Sequence, residues 1–198
     1  MSIDGSRRDV VRRYLGYLNR YFMVPAFRLG LGSWIGNPLA GYVAVLRTRG
    51  RKTALPRYAP LNYAILDGFV YVVSGWGTGA DWYRNLRADP RVELLLPGRT
   101  IGGRAETVTD PDEILRAARQ VLLASGFAAY VAGVDPRRIT DEDLGQRLAE
   151  IPVVRIRPTG LGAGPHDPGG WAWIAKFAML SLGMACWRVR RARRARHR

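Results

Sequence analysis

The sequence predicts a mainly β protein with added helices (α+β), an antiparallel barrel with an N-terminal amphipathic helix and a C-terminal helical tail. Short runs rich in Val, Tyr, Leu and Ile recur at hairpin spacing, at about residues 42–49, 57–66, 69–75, 91–97, 100–109 and 152–158. Many short strands with few helices favour such a barrel over a doubly wound sheet. Neither GxGxxG nor GxxxxGK[ST] occurs, which removes the main support for Rossmann and P-loop folds. With 198 residues, 47% of them hydrophobic, the chain can bury one good core and is not generally disordered.

Each element has its own signal. From Arg7 to Phe22, the residues Val10, Val11, Tyr14, Leu15, Leu18, Tyr21 and Phe22 follow helical spacing. Arg8, Arg12, Arg13 and Arg20 take the other face, so the segment reads as an amphipathic helix. Leu66-Asp67-Gly68 between two runs is a tight hairpin signal. Asp110-Pro111-Asp112-Glu113 predicts a helix start, with Asp110 as N-cap, Pro111 at the first position and Glu113 reaching back. That helix runs to about Ala124 and stops near Gly126. Thr140 with Asp143 repeats the capping pattern for a short helix to about Glu150. Residues 160–170, GLGAGPHDPGG, read as a linker. The predicted divisions are therefore an N-terminal helix over 1–22, a barrel over 23–159, the linker over 160–170 and an apolar, arginine-rich tail over 171–198.

Composition narrows the function. Cys186 is the one cysteine, so no intrachain disulfide forms, and a reducing cytoplasm is expected. Beyond it stand only His166 and His197, which gives no ligand cluster for zinc or haem, so no metal is expected. Behind the N-terminus there is no apolar run of the kind a cleaved signal peptide needs. The net charge of +15 is concentrated at the ends. Residues 171–198 hold Lys176 and seven arginines without an acid, residues 1–22 hold five arginines against Asp4 and Asp9, and the middle carries 18 basic and 14 acidic residues. Basic ends of this kind attract anionic lipid or nucleic acid.

The densest chemistry lies in Val43 to Leu61, VAVLRTRGRKTALPRYAPL. Arg47, Arg49, Arg51, Lys52 and Arg57 fall within eleven residues around Gly50, where two strand-like runs meet. A concentrated positive field, with a glycine that lets the backbone come close, suits a phosphate or a row of carboxylates. A solvated basic hairpin is the equally weighted alternative.

The string TRGRKTALPRYAPLNY, followed by DGFVYVVSGWG and DWYRNLRADPRV, resembles the deazaflavin-dependent nitroreductase family over about residues 19–158. Members use coenzyme F420 and adopt an FMN-binding-type split β-barrel, so the resemblance implies both here. It implies that Arg51, Lys52 and Thr53 contact the phosphate and acidic tail of the coenzyme, with Arg57, Tyr58, Ala59, Pro60, Leu61 and Asn62 lining the same groove. Gly75, Trp76 and Gly77 fall in a glycine-rich segment that permits close ligand approach, or forms a plain turn. Better-known members carry a Ser-Lys pair where this chain has Gly75-Trp76, a lost cation that Trp76 replaces with a surface able to stack on a flat ring. Trp82, Tyr83 and Asn85 belong to the second coenzyme-facing segment the resemblance implies. Helical spacing puts Trp82, Leu86 and Asn85 on one side, where Trp82 and Leu86 read more readily as core. Asn85 is the stronger polar candidate, since an amide either caps locally or fixes a ligand edge. Tyr130 lies where the resemblance expects a tyrosine over the redox ring, and a phenol there can donate a proton as hydride arrives. An ordinary half-buried tyrosine is the competing reading, because the flanking tyrosines of better-known members are not reproduced and Phe127 and Gly133 stand nearby.

Trp171 to Trp187, WAWIAKFAMLSLGMACW, is apolar on nearly every side and is followed by RVRRARRARHR. As a helix it reaches about 25 Å, short of the roughly 30 Å hydrocarbon core. A helix lying in the membrane interface, with its arginines on anionic lipid, is favoured over one that spans. Docking on the barrel itself or on a dimer partner stays open. The resemblance thus implies an F420-dependent oxidoreductase that passes hydride from the reduced coenzyme to an electron-poor acceptor such as a quinone or nitroaromatic. The alternatives are FMN as cofactor, and a membrane-associated barrel that binds or stores flavin or deazaflavin without catalysis. The expected setting is cytoplasmic and peripheral, on the inner face of the cell membrane. The expected partners are a small-molecule acceptor and an anionic surface, with no specific nucleic acid and a homodimer left open.

Overall fold

Alternation of side chains decides how the strands close. In β1 (Val43–Arg49), Ala44 and Leu46 lie in the interior cluster, while Val45 packs outward against Phe27 and Leu95. The same period of two runs through β2 (Pro56–Leu66), β3 (Phe69–Val73), β4 (Arg91–Leu96), β5 (Arg99–Thr107) and β6 (Val153–Leu161). In this computed structural model, which describes residues 17–28, 32, 41–131, 133–161 and 172–196, the six strands form a closed antiparallel barrel. Its order is β1-β2-β3-β6-β5-β4, and β1 closes the ring by pairing with both β2 and β4. Val70, Val72, Val92, Leu94, Val154 and Ile156 fill the interior together with Trp82, Tyr83 and Leu86.

The turns obey local chemistry. Asp67 and Gly68 both take positive φ, +52° and +80°, as a two-residue hairpin of the mirror-image type requires. β5 carries a register shift between Gly102 and Gly103. There the neighbouring strand comes so near that a Cβ on Gly103 would stand 2.7 Å from Ile156 Cγ2 and 3.0 Å from the Arg157 carbonyl.

Helices cover the outside. A π-helical turn at Asn19–Met23 leads into α1 (Val24–Arg28), which lays Phe27 over Val45 and Leu95. α2 (Asp81–Ala88) seals the barrel with Trp82, Tyr83, Asn85 and Leu86 buried. α3 (Pro111–Ala124) packs Ala117, Ala118 and Val121 on Tyr71, Val108 and Val153. α4 (Phe127–Val131) and α5 (Asp141–Leu148) follow, and α6 (Ala172–Arg196) ends the described chain. Asp110 accepts the Glu113 backbone N–H at 2.7 Å, and Thr140 Oγ1 accepts that of Asp143 at 3.1 Å, so both predicted N-caps form.

Some expectations need adjustment. The Glu113 carboxylate does not reach back to its own helix start. It accepts from the Tyr71 hydroxyl at 2.8 Å and from Arg155 Nη1 at 2.9 and 3.1 Å, because a cation and a phenol on the sheet satisfy it better than one backbone N–H. β6 continues through Leu161 by pairing Gly160 with Gly102 and Leu161 with Ile101, which takes the first two residues of the expected linker. Residues 162–170 lie outside the described residues, as does most of the expected N-terminal helix, residues 7–16. Helical structure continues past Phe22 to Arg28 with a π-helical turn inside it.

Candidate functional site

The connection from β1 to β2 is the local origin of the site. Residues 50–55 form a closed loop, with the Gly50 N–H donating to the Leu55 carbonyl at 2.9 Å and the Ala54 N–H to the Gly50 carbonyl at 2.7 Å. Ala54 holds a left-handed φ of +56°. Thr53 Oγ1 accepts from the Leu55 N–H and from Arg57 Nη2, both at 3.4 Å. A Cβ at position 50 would lie 3.0 Å from the Leu55 carbonyl oxygen and 3.1 Å from Thr53 Oγ1, so glycine is what lets the loop close this tightly.

Helix α2 buckles that loop down. Asn85, 3% exposed, accepts at Oδ1 from the Arg51 backbone N–H (3.2 Å) and from Arg51 Nη1 (3.1 Å), and its Nδ2 donates to Thr48 Oγ1 (3.4 Å). Arg51 Nη2 also donates to Asp81 Oδ1 at 2.9 Å. The Asn85 amide is thus engaged on both sides, and Arg51 is the cation that ties loop to helix. Lys52 is exposed and makes no hydrogen bond or ion pair among the described residues.

Between loop, β2 and α2 lies a groove of about 700 Å³. Its cationic end is Arg51, Lys52, Thr53 and Arg57, and its apolar wall is Val24, Tyr58, Ala59, Pro60, Trp76 and Trp82. Trp76 is 44% exposed and stands at the groove, while Trp82 also borders it but is only 8% exposed. The structure therefore brings together Arg51, Lys52, Thr53, Arg57, Tyr58, Ala59, Pro60, Trp76, Trp82 and Asn85.

Other expected site residues stand apart from that lining. Leu61 packs against the barrel interior, and Asn62 donates to the Tyr42 carbonyl at 3.2 Å. Gly75 and Gly77 shape the turn that presents Trp76, closed by the Gly77 N–H donating to the Ser74 carbonyl and by Ser74 Oγ donating to the Gly77 carbonyl, each at 2.7 Å. Tyr83 is buried, its hydroxyl 3.2 Å from Thr107 Oγ1. Tyr130 is 53% exposed on α4 and lies outside the groove's lining. The sequence reading missed Val24, brought in by α1, and Asp81, the carboxylate that engages Arg51. A carboxylate opening the helix of DWYRNL was the available signal for Asp81, since acids favour a helix N-terminus.

A groove with cations at one end and an aromatic, apolar wall at the other accepts a ligand that joins anionic groups to a flat ring. Its donors are backbone, ammonium and guanidinium groups, which hold phosphate or carboxylate and do not ligate metal. Among the described residues there is no cluster of His, Cys, Asp and Glu fit to hold a metal ion. The chain belongs to the F420H(2)-dependent quinone reductase family, whose model matches residues 23–142. An F420H(2)-dependent quinone reductase of Mycobacterium tuberculosis is 34% identical over 110 residues, covering 48% of this chain and 73% of that protein. Among solved structures, one described as an F420 reductase is 20% identical with a TM-score of 0.39, covering 66% of this chain and 94% of that one. A conserved hypothetical protein of Mycobacterium tuberculosis is 21% identical with a TM-score of 0.45, covering 65% of this chain and 78% of that one. The protein is an F420-dependent reductase, and coenzyme F420 is its cofactor. The groove fits the coenzyme's chemistry, with anion-holding groups beside a flat aromatic wall.

Proposed function

We propose that the protein reduces a quinone or a related lipophilic, electron-poor ring at a membrane surface, using F420 held in the groove between the 50–55 loop and α2. The observation that carries this reading is the groove itself, where Lys52, free of partners among the described residues, lies at one end and Trp76 and Trp82 at the other. Lys52 and Arg57, with the backbone N–H groups of Lys52 and Thr53, would hold the phosphate and acidic tail. Trp76 and Tyr58 would flank the ring and shield its reacting face from water. When bound in reduced form, F420 supplies a hydride from its deazaflavin C5. A proton must reach the reduced acceptor as well. Solvent delivers it, or Tyr130 does if acceptor binding brings α4 near, and Tyr130→Phe separates the two by the pH dependence of kcat.

Helix α6 supports the membrane setting. Its 25 residues place Phe177, Leu180, Leu182 and Trp187 in solvent, 65%, 61%, 65% and 59% exposed, ahead of the arginine run. None of the described helices is long and apolar enough to cross a membrane. Exposed apolar residues beside Arg188, Arg190 and Arg191 suit an interfacial helix on anionic lipid at the inner face of the cell membrane. Fluorescence titration with F420 and FMN, followed by turnover of a vesicle-embedded quinone and of a soluble nitroaromatic, tests the whole reading. The expected result is preferential F420 binding and faster turnover of the embedded quinone. Preference for FMN would refute the groove assignment, and equal turnover of both acceptors with or without anionic vesicles would refute the acceptor and its setting.

A further inference from the structure

The groove between the 50–55 loop and α2 holds one acid among its cations. Of the described residues that line it, Arg51, Lys52 and Arg57 are positive and Asp81 is the one carboxylate. Asp81 Oδ1 accepts from Arg51 Nη2 at 2.9 Å, with side chains 76% and 26% exposed respectively. The two partners are not equally free to move. Arg51 is fixed by buried Asn85, whose Oδ1 takes its backbone N–H at 3.2 Å and its Nη1 at 3.1 Å. Swinging that guanidinium away would strip a buried amide oxygen of a donor, which is costly. The Asp81 carboxylate makes no other hydrogen bond or ion pair among the described residues, and it reaches Arg51 from solvent. It can turn back into water while the backbone of residue 81 stays in place at the start of α2.

An acid at the first position of α2 suits the helix N-terminus. The latch it adds between helix and loop is already made by Asn85. What Asp81 alone contributes falls on the ligand. A phosphate or carboxylate that comes in beside Lys52 and Arg57 meets a third cation whose Nη2 is already taken, with a like charge next to it.

We propose that Asp81 competes with the anionic groups of F420 for Arg51 Nη2, giving that nitrogen up as the coenzyme binds and retaking it as the coenzyme leaves, so that it lowers affinity and speeds release. This rests on the assignment of the groove to F420. A reductase that draws hydride from a diffusing coenzyme has to let the oxidised form go before the next reduced one enters, and release of this kind governs turnover in many enzymes. The returning carboxylate means that Arg51 exchanges one anion for another and is never left without an acceptor. The loop stays latched through Asn85 throughout.

The test uses the full chain with Asp81→Asn, which keeps the shape and an acceptor oxygen for Arg51 and removes the charge. Wild type and variant are titrated by fluorescence with F420 and with an uncharged deazaflavin that lacks the phosphate and everything beyond it. Stopped-flow mixing gives the association and dissociation rates of F420. Asp81→Asn should bind F420 about threefold to fivefold more tightly at low salt, the scale of an exposed charge pair. The gain should appear as slower dissociation, and high salt should erase it. The uncharged deazaflavin should bind both proteins within about twofold of each other. Urea denaturation serves as the folding control, since the variant loses an acid that suits its helix start. A purely structural role predicts the opposite sign, a less stable variant that binds F420 more weakly. Unchanged or weaker F420 binding by Asp81→Asn therefore overturns the proposal. An equal gain for the uncharged deazaflavin overturns it too, as does a gain confined to the association rate, the mark of a charge at the rim that never exchanges. Wild-type protein that binds no deazaflavin overturns the groove assignment along with this proposal. Wild type that binds F420 with the same affinity and rates as Asp81→Asn overturns this proposal alone.

Discussion

Two adjacent cations, Arg51 and Lys52, should respond to alanine in opposite ways. Arg51→Ala removes the Nη1 bond to buried Asn85 at 3.1 Å and the Nη2 bond to Asp81 at 2.9 Å, while the backbone N–H of residue 51 keeps its bond to Asn85. Asp81 is 76% exposed, so that pair contributes little, and the loss should come to about 1–2 kcal/mol of folding stability. Lys52→Ala touches no partner among the described residues, so stability should move by less than about 0.5 kcal/mol. Its effect should appear in binding instead. A charge-assisted hydrogen bond contributes about 1.5–3 kcal/mol, and exposure trims this towards the lower end. At 1.36 kcal/mol per decade, F420 affinity should fall roughly tenfold. Urea denaturation reads the first quantity and fluorescence titration with F420 at two salt concentrations reads the second. A Lys52→Ala variant that unfolds more easily than wild type, or binds F420 as tightly, would refute this division of labour. So would Arg51→Ala protein with undiminished stability.

Further outcomes follow from the same structure. Asn85→Ala strands the Arg51 N–H and the buried Thr48 hydroxyl, and denaturant titration should show a loss of about 2–4 kcal/mol. Tyr71→Phe should lose about 1 kcal/mol at neutral pH by removing the hydrogen bond to Glu113. Burial first, then Glu113, raises the Tyr71 phenol above its ordinary value. The wild type therefore sheds that stability as pH rises through and beyond about 10, and the variant's alkaline decline should be shallower in pH-dependent melts. Deleting residues 171–198 lowers the formal charge from +15 to +7, by the eight cations of that segment, and should release the protein from anionic vesicles in a flotation assay while leaving F420 affinity unchanged.

What the sequence made legible was local. Asp67-Gly68, Asp110 with Pro111, and Thr140 with Asp143 each solve a backbone problem within four residues, so residue type alone announces the solution. Strand positions were legible for the same reason, since short runs rich in Val, Tyr and Leu are set off by turn residues close by in the string. The misses involve partners far along the chain. Glu113 was read as closing its own helix start because Tyr71 and Arg155, 42 residues away on either side, leave no mark near it. Asn85 was read as capping locally or fixing a ligand edge; it lines the groove, and the partners its amide takes, Arg51 and Thr48, lie 34 and 37 residues off, where the string leaves no mark of them. Trp82 and Tyr83 are adjacent in sequence, yet one edges the groove and the other turns its hydroxyl to Thr107.

The basic run shows why charge counting alone could not assign its members. Five cations fall between residues 47 and 57, and the fold deals with them in two ways. Alternation along β1 sends Arg47 and Arg49 to the outer face of the barrel, while the closed loop turns Arg51, Lys52 and Arg57 toward the groove beside α2. Within each group one arginine is then taken by the protein itself, Arg47 by Glu93 and Arg51 by Asn85 and Asp81. Those two anchor strand and loop. Arg49 adds to the positive field that lowers the Asp89 carboxyl, whereas Lys52 meets no acceptor among the described residues and keeps its charge for a ligand. The distinction depends on whether an acceptor from another strand or helix comes within about 3 Å, which is a property of the folded barrel.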